Sequence, residues 1–156
     1  RRETMKLTTR GRYAVTAMLD LCCQEGAAPV SLTDIAKRQE ISLSYLEQLF
    51  AKLRRRGLVR SVRGPGGGYR LASPPTRISV ADVIRAVDEP IRATSCDENG
   101  PTGCIKSTRC ITHHLWERLG AHINLYLESI DLGSLIEEVR PAMPPPHPPR
   151  DQETRR

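Results

Sequence analysis

Four side chains that bind soft metal ions lie close together in the second half of the sequence. Three cysteines and one histidine fall within 18 residues, at Cys96, Cys104, Cys110 and His113. Thiolate and imidazole are the donors that hold zinc or an iron-sulfur cluster, and a loop is needed to aim four of them at one point. Because the intervening residues are rich in Gly, Asn, Pro and Ser and follow no helical or strand period, we predict a metal-binding loop.

Two other interpretations of these cysteines compete with that prediction, and the identity of the metal is a separate question. Buried reduced cysteines are disfavoured because charged residues, such as Asp97, Glu98 and Arg109, flank them. Disulfides are disfavoured because no stretch near the N-terminus resembles a signal peptide and five cysteines leave one unpaired. Zinc stays open, although the close Cys-x-x-Cys pairs typical of structural zinc sites do not occur among these ligands, and wide spacing suits a cluster at least as well.

The charge of the chain is concentrated in its first half. Residues 1–77 carry 15 Lys and Arg against 6 Asp and Glu, a net charge of +9, whereas the remainder carries −3. A basic half with one Phe and four Tyr favours double-stranded DNA over single strands, which need aromatic stacking platforms. At 156 residues we expect one main domain. No apolar run is long enough to span a membrane, so we expect a cytoplasmic protein.

Periodicity in the first half predicts three helices. The first runs from Thr8 or Thr9 to about Gln24, with Tyr13 on its apolar stripe, and Cys22 and Cys23 are expected there as small buried hydrophobic residues. A Ser31-x-x-Asp34 capping box begins a short second helix that ends near Gln39. A third helix begins at residues 42–47, turns four apolar side chains inward and stops at Gly57; the inward residues are Leu46, Leu49, Phe50 and Leu53.

The segment after the third helix predicts a β-hairpin. Two short alternating runs flank the Gly-Pro-Gly-Gly-Gly turn within residues 58–72. A hairpin that follows two short helices joined by a turn is the wing of a winged helix-turn-helix domain. The glycines match neither the Walker pattern nor the dinucleotide-binding pattern, so a nucleotide site is not expected.

The remaining half contains a short helix, the cysteine segment and a longer helix. A Ser79-x-x-Asp82 capping box begins a helix that Pro90 ends. Heptad spacing after His113 predicts a helix that pairs with a second subunit, although folding back on the chain's own core is the alternative; its apolar positions are Trp116, Leu119, Ile123, Tyr126 and Ile130. Residues 132–139 add one or two turns, and the Pro-rich residues 140–156 are expected to be disordered.

Candidate DNA-binding residues follow from these elements. We expect contacts from the third helix, its basic end and the wing; these are Ser44, Tyr45, Glu47, Gln48, Arg54, Arg55, Arg63 and Gly66. Two assignments have alternatives. Glu47 could cap its helix in a Ser-x-x-Glu box begun by Ser44, and the arginines could interact only with the helix C-terminus and solvent.

Four sequence stretches together resemble the iron-sulfur cluster regulators of the bacterial winged-helix family. They are residues 5–15, residues 41–50, Val62-Arg-Gly-Pro-Gly-Gly-Gly-Tyr69 and Cys110-Ile-Thr-His113, and the resemblance covers residues 5 to 139. It implies a homodimeric transcription factor with a 2Fe-2S cluster on Cys96, Cys104, Cys110 and His113, whose occupancy selects the operators. His114 is an alternative ligand. The cluster-assembly machinery would be the source of the cluster, and Glu47 would help to separate two operator classes.

The predicted protein is therefore mainly α with a small β-hairpin wing. The expected parts are a winged helix-turn-helix domain (5–75), a linker and helix (76–95), the cluster loop (96–113), a dimerisation helix with a C-terminal turn (114–139) and a disordered tail (140–156). No constellation of catalytic residues or second cofactor motif occurs, so we do not expect an enzyme. The competing functions are a zinc-stabilised DNA-binding protein without sensing and a redox protein that uses its cluster for electron transfer.

Overall fold

The computed structural model describes residues 9–24, 26, 28–87, 91 and 111–142. Within these ranges it confirms a mainly helical fold with a two-stranded antiparallel hairpin. Cys96, Cys104, Cys110, Pro90 and the Pro-rich tail beyond residue 142 lie outside the described residues, so what the sequence predicts for them stays a prediction. The elements are α1 Thr9–Gln24, α2 Leu32–Gln39, α3 Leu43–Arg55, β1 Val59–Val62, β2 Gly68–Leu71, α4 Val80–Ala86, α5 His113–Ser129 and α6 Leu132–Val139, with 3₁₀ turns at Pro75–Arg77 and Arg140–Ala142.

Helix α1 is the centre of the main hydrophobic core. Ala14, Ala17, Met18 and Leu21 are fully buried on it, and Phe50 from α3 is buried in the same cluster. Helix α1 packs against α2, α3, α4, α6 and β2. The two alanines allow neighbouring elements to approach closely, so α1 supports the rest of the domain.

One charged side chain is buried in this core. Asp20 of α1 is 2% exposed and accepts three hydrogen bonds from Nε and Nη2 of Arg38 in α2, the shortest at 2.6 Å from Nη2 to Oδ1. Gln39 Nε2 donates to Asp20 Oδ2 at 2.7 Å. These bonds raise the pKa of the Arg38 guanidinium, so that side chain stays charged. The ion pair fastens α2 to α1, and sequence periodicity did not indicate it.

The caps of α2 and α3 orient the helix-turn-helix unit. Ser31 Oγ accepts the Asp34 amide at 3.2 Å, as its sequence pattern predicts. Glu40 follows α2 in a left-handed conformation, with φ at 54°. Helix α3 is capped by Ser42, whose Oγ accepts the Tyr45 amide at 3.3 Å. Ser44 is therefore already inside the helix, and the interpretation of Ser44 and Glu47 as a capping box is wrong.

The hairpin is attached to the helical core at its second strand. Val59 to Val62 pair with Leu71 to Gly68 in antiparallel register. Tyr69 also exchanges two backbone hydrogen bonds with Val30, at 3.0 and 2.7 Å. A Cβ on Gly68 would lie 2.2 Å from the Val30 carbonyl oxygen, so only glycine permits this close approach of the two backbones. Gly68, the third consecutive glycine, thus allows the wing to pack against the segment that joins α1 to α2.

Helices α4 and α5 form a second, smaller packing unit, whereas the buried residues of α6, Leu132 and Ile136, belong to the main core. Ser79 and Asp82 make the complete capping box that the sequence predicts for α4. Val80, Ala81, Ile84 and Ile91 form a buried cluster, against which apolar residues of α5 and its C-terminal end pack: Ile123, Leu127 and Ile130. Backbone hydrogen bonds from Val80 to Ile130 and from Leu132 to Ile78 join this corner to the segment that follows the wing.

The apolar stripe predicted on α5 divides between two environments. Ile123 and Ile130 pack against the chain's own small cluster, which is the alternative to pairing. Tyr126 is 65% exposed, and Leu115 and Leu125, which the heptad pattern did not include, are 57% and 62% exposed. No residue of α5 is buried, and none of the helices in the described part of the chain is long and apolar enough to cross a membrane.

The Asp20 pair predicts an unequal response to removing its two partners. Arg38→Met should lower the free energy of unfolding by about 3 to 5 kcal/mol, because it leaves a buried carboxylate without its cation. Asp20→Asn should cost less, since Arg38 is partly exposed and the asparagine oxygen still accepts a hydrogen bond. Urea unfolding measures both, with Glu137→Ala on the exposed side of α6 as a control expected within about 0.5 kcal/mol of wild type. Equal or negligible losses would contradict this role of the ion pair.

Candidate DNA interface and ligand segment

The outer face of α3 carries three of the predicted DNA-binding side chains. Ser44, Glu47 and Gln48 are all exposed, whereas Leu46 and Leu49 point into the core. Residues three and four positions apart share one face of a helix, so the exposed polar side chains form a continuous surface. The core therefore holds α3 by one side and leaves the opposite side available to base edges in a major groove.

Tyr45 lies at the edge of this surface. Its side chain is half-buried, and its ring meets the ring of Tyr13 from α1 edge-on, with centroids 5.9 Å apart. The prediction that Tyr13 belongs to the core-facing stripe of α1 is wrong, because its side chain is 40% exposed. Tyr13 stands one position before the buried Ala14, where helical period alone does not separate a core residue from a flanking one. The contact with Tyr13 therefore positions the side chain of Tyr45. Tyr13 itself lies on α1, outside the helix-turn-helix unit.

The basic end of α3 contains arginines in different surroundings. Arg54 Nη1 donates to Ser61 Oγ of β1 at 3.3 Å, so this side chain joins α3 to the wing. Arg55 is exposed on the same end of the helix. Arg55 is therefore the better probe of phosphate contact, because removing Arg54 also removes a contact inside the protein.

The tip of the wing projects a cation from a tight turn. Arg63 is exposed directly after β1, and Gly66, also exposed, has a φ of 71°, in the left-handed region that glycine adopts without strain. A Cβ on Gly67 would lie 2.4 Å from the Val62 carbonyl oxygen. The glycines thus keep the tip of the wing narrow. This shape would allow Arg63 to lie close to a DNA groove.

Of the four predicted metal ligands, only His113 lies among the described residues. It is the first residue of α5, its side chain is half-buried, and its ring lies edge-on to His114 with centroids 5.7 Å apart. His114 is exposed, and its Nδ1 lies 3.4 Å from Glu117 Oε2. Within the described ranges no group of three or more His, Cys, Asp and Glu is arranged to hold a metal ion. The other three ligands lie outside those ranges.

The start of α5 is fixed by a contact next to His113. The indole Nε1 of Trp116 donates to Thr112 Oγ1 at 3.1 Å, and the backbone amides of Leu115 and Trp116 bond the Thr112 carbonyl. The residue that precedes His113 is therefore held by the first turn of the helix. His113, the first residue of α5, consequently has a defined backbone.

Cys22 and Cys23 behave as the sequence predicts. Cys22 belongs to the buried core cluster, and Cys23 packs partly buried against it. Burial raises the pKa of the Cys23 thiol, and the nearby Asp20 carboxylate raises it further. A raised pKa lowers the thiolate fraction at neutral pH, which makes Cys23 a poor ligand and a weak nucleophile.

Comparison with known proteins agrees with this arrangement. Residues 7–138 match the Rrf2 family, described as iron-dependent transcriptional regulators. The HTH-type transcriptional regulator IscR of Aliivibrio salmonicida is 58% identical over 132 residues, which are 85% of this chain and 77% of the relative. The IscR of Vibrio cholerae is 57% identical over 132 residues, covering 85% of this chain and 75% of that one.

Solved structures show the same fold. The structure of T. potens IscR superposes with a TM-score of 0.70 at 39% identity and covers 91% of this chain and 93% of that one. CymR, the global cysteine regulator of B. subtilis, has a TM-score of 0.72 at 36% identity, with 86% and 98% of the two chains covered. The chain belongs to the Rrf2 family of winged-helix transcriptional regulators.

Proposed function

We propose that this Rrf2-family transcription regulator is a homodimer that senses iron-sulfur status through a 2Fe-2S cluster held by Cys96, Cys104, Cys110 and His113. Occupancy of the site would select the class of operator that the protein binds, among them operators of cluster-assembly genes. The observation that carries the proposal is the set of three cysteines in the sequence before α5 and one histidine at its first position, in a chain 58% identical to an IscR regulator.

The donor set suits such a cluster on chemical grounds. Three thiolates and one imidazole match the soft and borderline donors that iron-sulfur clusters take, and His113 is only half-buried. The imidazole must be neutral to act as a ligand and is a weaker donor to ferric iron than a thiolate. When bound, the cluster would supply a signal through its presence, because it is assembled only when iron and sulfide are available. A ligand set with one weak member suits a cluster that is gained and lost.

The proposed route to DNA uses the two exposed parts of the basic domain. The polar face of α3 would enter the major groove, and the wing with Arg63 would lie beside an adjacent groove. Arg55 would contact phosphate at the end of α3. These surfaces are supported by their exposure and by the concentration of positive charge in residues 1–77.

The exposed apolar side chains of α5 support the proposed homodimer. Leu115, Trp116, Leu125 and Tyr126 would be covered by a second copy of the chain. Helix-turn-helix proteins that read double-stranded DNA commonly bind two half-sites as dimers, and a symmetric pair of α5 helices would set the separation of the two α3 helices. We propose that the dimer acts in the cytoplasm and receives its cluster from the assembly machinery there.

A zinc-stabilised regulator without sensing is the second candidate function, because the same four donors bind zinc. Anaerobically purified protein should be reddish-brown and should contain two iron and about two sulfide per chain, as the 2Fe-2S stoichiometry requires. A colourless protein with one zinc ion per chain would support the alternative.

The ligand assignment predicts a pattern across single substitutions. Cys96→Ala, Cys104→Ala and Cys110→Ala should each abolish the visible absorption, whereas His113→Cys should keep a cluster that four thiolates hold more firmly. Cys22→Ala is the matched control and should keep the absorption, because Cys22 lies in the core. Thermal melts and sedimentation should show that the variants stay folded and dimeric. Loss of the absorption in Cys22→Ala with coloured loop variants would overturn the assignment.

Phosphate contact predicts a change in salt dependence. Arg55→Ala should weaken binding to every DNA sequence alike and should reduce the slope of log K against log salt by about 1, because one counterion fewer is released. Arg140→Ala removes an exposed arginine after α6, outside both the proposed DNA contacts and α5, and serves as the control. Fluorescence anisotropy at several salt concentrations measures both slopes. An unchanged slope for Arg55→Ala would contradict phosphate contact.

The exposed carboxylate of Glu47 predicts discrimination between operators. Because Ser42 caps α3, Glu47 is free of a capping role and its anion faces the DNA side, where it can accept from a cytosine amino group and repels a phosphate or a wrong base. Glu47→Ala and Glu47→Gln should both let cluster-free protein bind the cluster-dependent operators, with little change at the other class. Gln48→Ala should instead weaken both classes.

The measurement for Glu47 is a binding titration of each variant, with and without cluster, against both operator types at one salt concentration. The pair of Glu47 variants separates charge from size, since glutamine keeps the shape and removes the anion. If both Glu47 variants weaken all four combinations equally, Glu47 is an ordinary contact and does not discriminate.

A further inference from the structure

Asn124, on the inner side of α5, uses its side-chain amide to join three parts of the chain. Its Nδ2 donates to the Ile91 carbonyl oxygen at 3.0 Å and to the Gly120 carbonyl oxygen at 3.1 Å. Its Oδ1 accepts from Arg85 Nη2 of α4 at 3.1 Å. Both amide protons and the carbonyl oxygen are therefore engaged, and the residue is partly shielded from solvent. An exposed asparagine whose side chain contacts only water would not have both its amide nitrogen and its amide oxygen hydrogen-bonded to protein atoms.

Ile91 is the point at which the chain enters the ligand segment. It is the last described residue before residues 92–110, which contain Cys96, Cys104 and Cys110. Its side chain is 8% exposed in the small cluster with Ile84 of α4, so apolar packing and the Asn124 hydrogen bond both fix its position. The segment therefore begins from an anchored residue.

The ligand segment leads into the same helix, α5. The chain re-enters the described residues at Ile111, and His113 begins α5. Asn124 is eleven positions further along α5, roughly 16 Å from His113 at the rise of an α-helix. One helix thus carries the proposed histidine ligand at its start and the hydrogen bond that anchors the segment's entrance three turns later.

Arg85 ties this anchor to the DNA-binding domain. Besides Asn124, its guanidinium forms an ion pair with Glu128 of α5. Helix α4 packs against α1 and also contacts α3. The ion pair is well exposed, so its net contribution is small. The directional contact is made by the side-chain amide of Asn124. Arg85 donates to its oxygen, and its nitrogen donates to the Ile91 carbonyl oxygen.

We propose that Asn124 is a positioning residue for the cluster: by binding the Ile91 carbonyl it fastens the entrance of the ligand segment to the helix that carries His113, and so slows loss of the cluster. The inference about cluster retention rests on the proposed function. The anchoring of the chain at Ile91 does not, because it follows from described contacts alone. The two parts are therefore tested separately.

The test uses full-length protein with Asn124→Asp, which keeps an oxygen for Arg85 but loses both donors and places an anion beside the Ile91 carbonyl. Asn124→Ser, too short to reach Ile91, is the second variant if Asn124→Asp fails to fold in a thermal melt. Glu128→Gln is the matched control, because it weakens the Arg85 ion pair and leaves the Asn124 donors in place.

The first measurement needs no cluster. In metal-free protein, trypsin should cut after Arg92, the residue next to Ile91, about three- to tenfold faster in the Asn124 variants than in wild type, which is the change expected from losing one hydrogen bond. Glu128→Gln should be cut at the wild-type rate. Equal cutting of wild type and a folded Asn124 variant would overturn the anchor.

The second measurement follows the visible absorption of cluster-loaded protein in air. Its half-life should fall by a similar factor in the Asn124 variants and should not change in Glu128→Gln. Faster trypsin cutting with an unchanged half-life would overturn the positioning role and leave a structural contact only. A wild-type protein that never acquires the absorption would refute the proposed cofactor and the retention role with it, while the trypsin result would still decide the anchor.

Discussion

The burial of α1 is the constraint on which the rest of the structure depends. Its side chains at positions 14, 17, 18 and 21 are fully buried, and five other elements pack around it. Large side chains at positions 14 and 17 would push those elements apart, because a packed core does not absorb added volume without strain. The Asp20 carboxylate adds a directional contact to this apolar support, since Arg38 and Gln39 can satisfy it in only one placement of α2. The placement of α2, and with it the helix-turn-helix unit, therefore follows from its contacts with α1.

A regulator of this kind needs exposed side chains on a backbone that does not move. The outer face of α3 is free because its inner face is fully engaged, with Leu46, Phe50 and Leu53 buried. The wing meets the same requirement by other means. Its second strand bonds the backbone of Val30, and its first strand receives Arg54 from α3. Helix α3, the wing and the segment between α1 and α2 are consequently joined into one support for the glycine tip.

The two sides of helix α5 have different surroundings. Ile123 and Leu127 cover the cluster beneath α4, whereas Leu125 and Tyr126 remain exposed. The apolar stripe in the sequence cannot show this division. Successive residues of a helix are rotated by about 100°, and the sequence pattern does not fix which side of the helix faces the core. In the described structure the inward side is the one that touches Ile91 and Arg85. The outward side is therefore available for the proposed dimer contact, whereas the inward side connects α5 with the DNA-binding domain.

Local features of the sequence determined much of this protein. The helices, the Ser31 and Ser79 caps, the glycine hairpin and the burial of Cys22 follow from periodicity and side-chain chemistry at short range, and the family resemblance carried the prediction of a DNA-binding regulator. The four proposed ligands were also visible in the sequence, but the structure describes only His113 among them. Tertiary structure decided what depends on distant partners: the Asp20 ion pair, the ring contact of Tyr13 with Tyr45, the close approach of Gly68 to Val30 and the hydrogen bond from Asn124 to Ile91. The physical reason is that period and propensity describe one element at a time, whereas each of these contacts joins elements whose relative position is set only when the core packs.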